Sequence, residues 1–579
     1  MREEAFVFSD GHSSPQEGRI QKLLAFFGIE VESISVEKFP PEPTGPQAEA
    51  RTRRLFCSSK TLLRLLENSP RLESLHSIFV YSDAASISEL LLVLTNGVGI
   101  PLQEKPANFS AWEIADSEDA FGGALRGLRI TPGENAAGVG LVANLSGAAA
   151  RPLISLGNTA IFFRLEWEGV PVFISLAEQI IDFDDELTTP NFDLRDHLFS
   201  ALPIVLYVRW AFPISSWQPA EIGACLVIDD PLLKPRYGFV RFRQLLAFME
   251  RHDFSTSIAF IPWNWRRSDP ETVRLFQENP DRLSLSIHGC DHTAAEFGTD
   301  DSAQLRQIID LAARRMEDHQ ARTGLAHDQV MVFPQGVFSA AAMRELKAAN
   351  FTAAVNTEVV CSGRCDLPLR ISDVWDVAVR RYADFPLYTR RYPRQGVENL
   401  AFDTLLGKPC LVVIHHDFCR DNCDHLINFI QSLNALKVPL KWRSLQEVLR
   451  RSYRRREIDS SVQEIEMYAA EMLIENSSTA AKCFRIRRRE AEPEKVSEIR
   501  AGSDLLTWHQ LDGYLHFEIT LPPGESVLIC VRWMPLEHVG RNGLSHSGFK
   551  TGLRRYLSEF RDNYVVPAKA RIAAVSRSS

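Results

Sequence analysis

A chain of 579 residues, 45% apolar and 24% charged, holds enough hydrophobic material for roughly three or four globular units. Its net charge of -9 at pH 7 excludes the basic imbalance by which nucleic-acid binders are known, so no nucleic-acid partner is expected. The longest apolar stretch, Ala201 to Ile214, is broken by Arg209 and two prolines and falls short of the ~18 residues that a membrane span needs. No transmembrane segment is expected, and that stretch reads as a buried strand. The opening MREEAFVFSDG lacks a positive region followed by an apolar one, so no signal peptide is expected. Ten scattered cysteines suit a reduced, cytoplasmic compartment. Cys361/Cys365 and Cys419/Cys423 share an x3 spacing rather than the CxxC common in zinc sites, and they read as free thiols.

Residues 1–212 alternate short apolar strands (AFVFS, SIFVYSD, VGLVAN, AIFFRLE, PVFISL) with helical stretches (RIQKLLAFFG, SISELLLVLTNG). That alternation predicts an α/β domain with a largely parallel sheet. Gly138-Val139-Gly140 lacks the strand–turn–helix frame of a phosphate loop and reads as a coincidence. Pro213 to Pro219 read as a linker. Residues 213–456 then repeat a βα order, from ACLVIDD through FVRFRQLLAFMERH, STSIAFIP, LSLSIHG, VMVFP and AAVNT to CLVVIHH and SLQEVLRRS. This predicts an α/β barrel-like domain, with fewer than eight units allowed. Residues 457–540 change to alternating strands separated by turn residues, the pattern of a small antiparallel β-sandwich. Residues 541–579 form a basic tail with one amphipathic segment, GLRRYLSEFRDNY, expected to dock as a helix. The basic runs from Arg450-Arg451 through Arg454-Arg455-Arg456 and at Arg485 to Arg489 read as solvated faces.

Within the barrel-like region, four motifs each follow an apolar strand: Asp229-Asp230, His288-Gly-Cys-Asp-His292, Phe333-Pro-Gln-Gly336 and His415-His416-Asp417. In α/β barrels and open α/β sheets, ligands gather beyond the carboxyl ends of the strands, so the motifs should share one rim. Two imidazoles at i, i+4 with one carboxylate make a two-His, one-carboxylate set that leaves positions open for water and substrate. Adjacent carboxylates suit such a site when one binds the cation and the other works on its water, because the metal relieves their repulsion. Trp263 and Trp265 follow STSIAFIP onto the same rim, where rings can stack on a sugar or pack a loop. Glu296 lines or solvates the pocket, and Cys290 between the histidines reads as a small buried residue.

These motifs, CLVIDDP, SIHGCDHT, VFPQG and VIHHD in that order, resemble the polysaccharide deacetylases of carbohydrate esterase family 4, the NodB homology domain. The resemblance spans about residues 221–456. By position it implies Asp229 as catalytic base, Asp230, His288 and His292 as metal ligands, and His416 as catalytic acid with His415 as the fallback. Pro334-Gln335 fall where the family supplies a backbone oxyanion donor. The resemblance implies a divalent metal, Zn²⁺ first, and hydrolysis of the carbon–nitrogen amide bond of an N-acetylated amino sugar or glycan precursor. Two positions depart from the family: Val332 stands where an arginine usually holds the catalytic Asp, and Gln335 replaces an aromatic residue. Arg370, with Asp373 or Asp376 as partner, is the candidate substitute. The rival readings are a glycoside hydrolase on a related barrel, which needs two spaced carboxylates, and an inactive glycan-binding or scaffold protein.

Overall fold

The computed structural model describes residues 2–9, 14–35, 51–67, 72–105, 110–116, 121–136, 138–363, 368–534 and 548–569. Near the N-terminus, helix Pro15–Phe26 starts where the Ser14 hydroxyl accepts the Gln16 N–H at 3.2 Å and a proline occupies the first turn. It packs in an 11-stranded sheet assembly in which Val31–Ser35, Arg2–Ser9, Arg51–Ser58, Leu75–Tyr81 and Val170–Ser175 run parallel. Beyond them Thr159–Trp167, Arg151–Leu156, Trp112–Ile114 and Arg129–Ile130 pair antiparallel. The largely parallel sheet expected from the sequence is therefore mixed. The cause is local: Glu168 and Gly169, both at positive φ, make a two-residue hairpin turn, which only antiparallel strands can use. Gly138 to Gly140 lead into a strand, Leu141–Asn144, the reverse of a phosphate loop.

The stretch read as a buried strand from Ala201 is instead the α-helix Leu198–Ala211. A fourteen-residue apolar run exceeds ordinary strand length, and a helix hydrophobic all round is one buried all round. Tyr207 on it shares a 2.8 Å hydrogen bond with Ser77 of the N-terminal sheet. One continuous core joins that sheet, this helix and the barrel, from Ala5 through Phe212 to Leu436. The expected linker is also structured, since Gln218-Pro219 pair with Arg454-Arg455.

The central sheet supplies seven strands to a nearly closed parallel barrel: β1 Ile222–Asp229, β2 Thr256–Phe260, β3 Leu283–His288, β4 Val330–Val332, β5 Ala353–Asn356, β6 Leu387–Thr389 and β7 Cys410–Ile414. Their order is β6-β5-β4-β3-β2-β1-β7, every pair parallel. An extra strand, Leu440–Trp442, pairs with the start of β1. Just past β6, Arg391 bridges Val412 of β7 and brings the two edges together. The Arg391 guanidinium is fixed there by the buried Asp403 at 2.6 and 3.0 Å. Both faces of these strands are covered, which explains their near-continuous apolar runs. Helices 242–252, 270–278, 302–323 and 340–348 supply Met249, Phe276, Ile309 and Leu346 to the core. Asp269 and Asp301 cap two of them through the N–H groups of Thr272 and Ala303.

Two further sheets follow, one built on Arg454–Glu457, Val462–Met467, Lys482–Arg489 and Tyr514–Leu521, the other on Glu471–Glu475, Ser526–Trp533 and Val496–Ala501. They enclose a shared core that includes Ile465, Phe484, Ile499, Leu515 and Trp533. The pairing is not wholly antiparallel, because Val462–Met467 and Lys482–Arg489 run parallel. Finally, helix Gly548–Phe560 docks on the barrel and continues through a wider turn at Arg561–Val565. No helix among the described residues is long and apolar enough to cross a membrane. Cys419 and Cys423 are free, whereas Cys361 is disulfide-bonded, which corrects the expectation of free thiols throughout. Cys365 lies outside the described residues.

Candidate active site

The carboxyl ends of the barrel strands bring the four motifs onto one rim. Asp229 is the last residue of β1, His288 the last of β3, and His415-His416 follow β7. Asp230 Oδ1 lies 3.3 Å from His292 Nε2 and 3.7 Å from His288 Nε2, and the three ligand atoms are all within 4.8 Å of one another. Asp230 Oδ1 is buried with no hydrogen-bond partner. A buried carboxylate oxygen left without a donor is costly unless a cation takes that place, so the donor set fits a divalent metal. His288 Nδ1 sits 3.0 Å from the Val332 carbonyl, which can only accept, so the proton is on Nδ1 and the Nε2 lone pair faces Asp230. Burial lowers the pKa of His288, and burial with the neighbouring His288 lowers that of His292 to about 4. Both imidazoles are thus neutral near pH 7, the state a ligand needs.

Asp229 is almost wholly buried and is clasped by Arg390, whose Nη1 and Nη2 reach its two oxygens at 2.5 and 2.7 Å. Burial alone would raise the pKa of this carboxyl, but Arg390 and then His288 hold it below the usual carboxylate value. The arginine that Val332 was expected to lack is therefore present from another strand, just beyond β6. Arg370, the substitute favoured on the sequence, is elsewhere: it pairs with Asp184 at 3.1 Å. Asp373 caps the backbone of Arg370, and Asp376 binds Arg380 and Arg454. Arg390 follows the three-residue strand of PLYTRR, and an Arg pair closing an apolar run was the one signal that pointed to it.

Of the doubled histidine, His415 is the one that faces the Asp230 carboxylate. His415 Nδ1 lies 4.0 Å from Asp230 Oδ2, and its side chain is 44% exposed, open to an incoming substrate. His416, the residue preferred by register, turns away. Its ring stacks on Phe239 and meets Tyr237 edge-on, with Nε2 3.6 Å from Asp562. Successive residues leaving a strand point to opposite sides, so only one of the pair can face the metal ligands.

Glu296 is buried beneath the loop that follows β3. Its buried carboxylate accepts the backbone N–H groups of Cys290 (2.8 Å), Asp291 (3.2 Å), His292 (3.2 Å) and Thr293 (3.3 Å). This plug shapes the loop that carries His292, which sits at φ +54°. Gly289, at φ +62°, has Glu296 and Pro334 where a side chain would stand, so glycine is required. Cys290 is buried, as read from the sequence. Pro334 packs on that glycine, and Gln335, at φ +60°, accepts the Ala295 N–H at 3.3 Å through its side chain. Trp263 is on the rim, but its ring meets Tyr556 of the C-terminal helix at 6.0 Å. Trp265 lies off the site: its carbonyl is held by Arg322 and its ring stacks under Arg266.

The C-terminal helix runs along the same rim. Glu559 binds Lys234 at 2.6 Å and also Arg267, Asp562 accepts the Tyr237 hydroxyl at 2.9 Å, and Asn563 accepts the Gly238 N–H at 2.7 Å. Its polar side thus spans the loops after β1 and β2 and reaches His416 after β7.

No family model matches this chain, and no curated protein matches it. Among solved structures the chain is similar to Agd3, described as a novel carbohydrate deacetylase, at 8% identity and TM-score 0.48, over 92% of this chain and 99% of that one. It is also similar to a family 4 carbohydrate esterase from Streptomyces lividans in complex with acetate (14% identity, TM-score 0.24, 37% of this chain and 88% of that one). A third is the Bc1960 peptidoglycan N-acetylglucosamine deacetylase (14%, TM-score 0.25, 40% and 90%). At these values the functional reading rests on the site residues themselves.

Proposed function

We propose that this chain is a metal-dependent hydrolase that removes an N-acetyl group from an amino sugar or glycan precursor. The observation that supports it is the convergence of Asp230, His288 and His292 on one point beside an Asp229 locked in its ionised form by Arg390. Zn²⁺ bound there would supply Lewis-acid polarisation of the acetyl carbonyl and a water whose pKa falls toward ~7. Asp229 takes the proton of the attacking water, and the Arg390 clasp fixes which way its oxygens point. His415 hands a proton to the departing sugar nitrogen, a step needed because an amide anion is a very poor leaving group. The turn at Pro334-Gln335 is the proposed source of the backbone donor for the developing oxyanion. Trp263 is the proposed sugar-stacking ring, and Trp265 has no part in this reading.

The working division is residues 1–212 and a deacetylase-like unit over 213–456 that share one core, a β-sandwich unit over 457–540, and the tail. The presence of Arg390 removes the main argument for an inactive scaffold. Metal analysis of the purified protein, together with acetate release from a panel of N-acetylated amino sugars and oligomers, tests the reading. One equivalent of bound metal and acetate release, both lost in Asp230→Ala and His292→Ala, is the expected result. Protein that binds no divalent ion at stoichiometric concentration overturns it.

A further inference from the structure

The C-terminal helix is built inside out. Its polar residues Glu559, Asp562 and Asn563 face the barrel rim, and Arg555 on that side is buried. Four large apolar residues face solvent: Leu553, Leu557, Phe560 and Tyr564 are between 52% and 65% exposed, while Tyr556 packs on Trp263 and Arg267. Their spacing places Leu553, Leu557, Phe560 and Tyr564 on one stripe, opposite the docked side. Isolated exposed apolar residues are ordinary, but four in one stripe over three turns of one helix mark a surface that is covered in use. Arg554 and Arg561, both exposed, flank the stripe. Residues 548–569 contain five lysines and arginines against two acidic residues, a net +3 within a chain of net -9.

We propose that this outward face is a docking surface for an anionic lipid membrane. A helix with an aromatic and leucine stripe bordered by arginines is the form that lies in the headgroup region, apolar side down. The concentrated positive charge complements acidic headgroups. The same charge disfavours a second copy of the chain, which would set two basic helices against each other. Because the opposite side of the helix is bonded to the loops after β1 and β2, a membrane-bound helix holds the Asp230–His288–His292 rim beside the bilayer surface. The inference stands on the helix alone and does not depend on the hydrolase reading.

Vesicle flotation of the full-length protein tests it, using neutral phosphatidylcholine vesicles and vesicles with about 30 mol % phosphatidylglycerol. The expected result is binding to the anionic vesicles at least about tenfold tighter than to neutral ones, weakened by salt. Leu557→Glu/Phe560→Glu should reduce that binding roughly tenfold or more with the melting temperature unchanged. Should that variant misfold, Arg554→Glu, at an exposed position, serves in its place. Protein that stays unbound on both vesicle types at low salt overturns the proposal. So does a concentration-dependent dimer that Leu557→Glu/Phe560→Glu disperses, which assigns the stripe to a second copy. Equal binding to soluble polyglutamate, unaffected by the apolar substitutions, assigns the charge to an acidic polypeptide and likewise overturns it.

Discussion

Replacing Glu296 by Gln should weaken metal binding without touching a ligand. The carboxylate gathers four backbone N–H groups, with Oε1 serving Cys290 and His292 and Oε2 serving Asp291 and Thr293. An amide keeps one acceptor oxygen and turns its NH₂ toward the other pair of donors. Two buried N–H groups then lose their acceptor, at ~1–3 kcal/mol each, or roughly 2–6 kcal/mol pressing on the loop. His292 at φ +54° gives the loop a further reason to relax, since a left-handed backbone costs a non-glycine residue about 1–2 kcal/mol. Outer-shell substitutions typically cost ~10–100-fold in metal affinity, or about 1.4–2.7 kcal/mol, well within what the broken bonds supply. Competition of the metal-free protein against a chromophoric Zn²⁺ chelator reads this directly, and excess metal should restore most of the activity. An affinity within about threefold of the parent's, with native circular dichroism, would show that the plug does not shape the metal loop.

Arg390→Met should destabilise the chain by ~3–5 kcal/mol near neutral pH, because it strands the Asp229 carboxylate in the core. Asp229 is held below its ordinary pKa in the parent, so its contribution is present above the unfolded value and is lost as pH falls through the folded one. Without Arg390, burial pushes the carboxyl upward, so the parent–variant gap should narrow on acidification; urea unfolding at about pH 7.5 and 5 that gives equal gaps refutes this. His415→Ala should lower kcat by ~10²–10⁴ with metal content intact, whereas His416→Ala should cost far less; the reverse order in acetate release returns the acid role to His416. Lys347 and the buried Glu490 join a barrel helix to the C-terminal sheets at 2.6 Å, with Trp533 Nε1 donating to the same carboxylate at 2.9 Å. Lys347→Met should therefore cost about 3–5 kcal/mol and lower the melting temperature, and an unshifted melt would show the pair to be dispensable.

The motif residues were legible because each stands immediately after an apolar run, and a parallel barrel gathers such positions on one rim whatever the strand order. Arg390 was not, because its strand has only three residues and lies outside the four motifs. Periodicity could not separate strand from helix over Ala201–Ile214, since both read as continuously apolar when buried on every side. The choice between His415 and His416 depends on which residue is first to leave β7, and one step of register reverses the answer. The tail segment docks as a helix, as expected, but which side docks was not legible: only the partners on the barrel make Glu559, Asp562 and Asn563 the docked side.

The unbroken core from Ala5 to Leu436 has a practical corollary for anyone dissecting this protein. Severing the chain at 212/213 would not separate two modules but split one hydrophobic interior, baring the greasy flank of the barrel against which Leu198–Ala211 lies. A fragment beginning at 213 should aggregate on expression, and supplying residues 1–212 in trans should rescue it as two halves of a single folding unit.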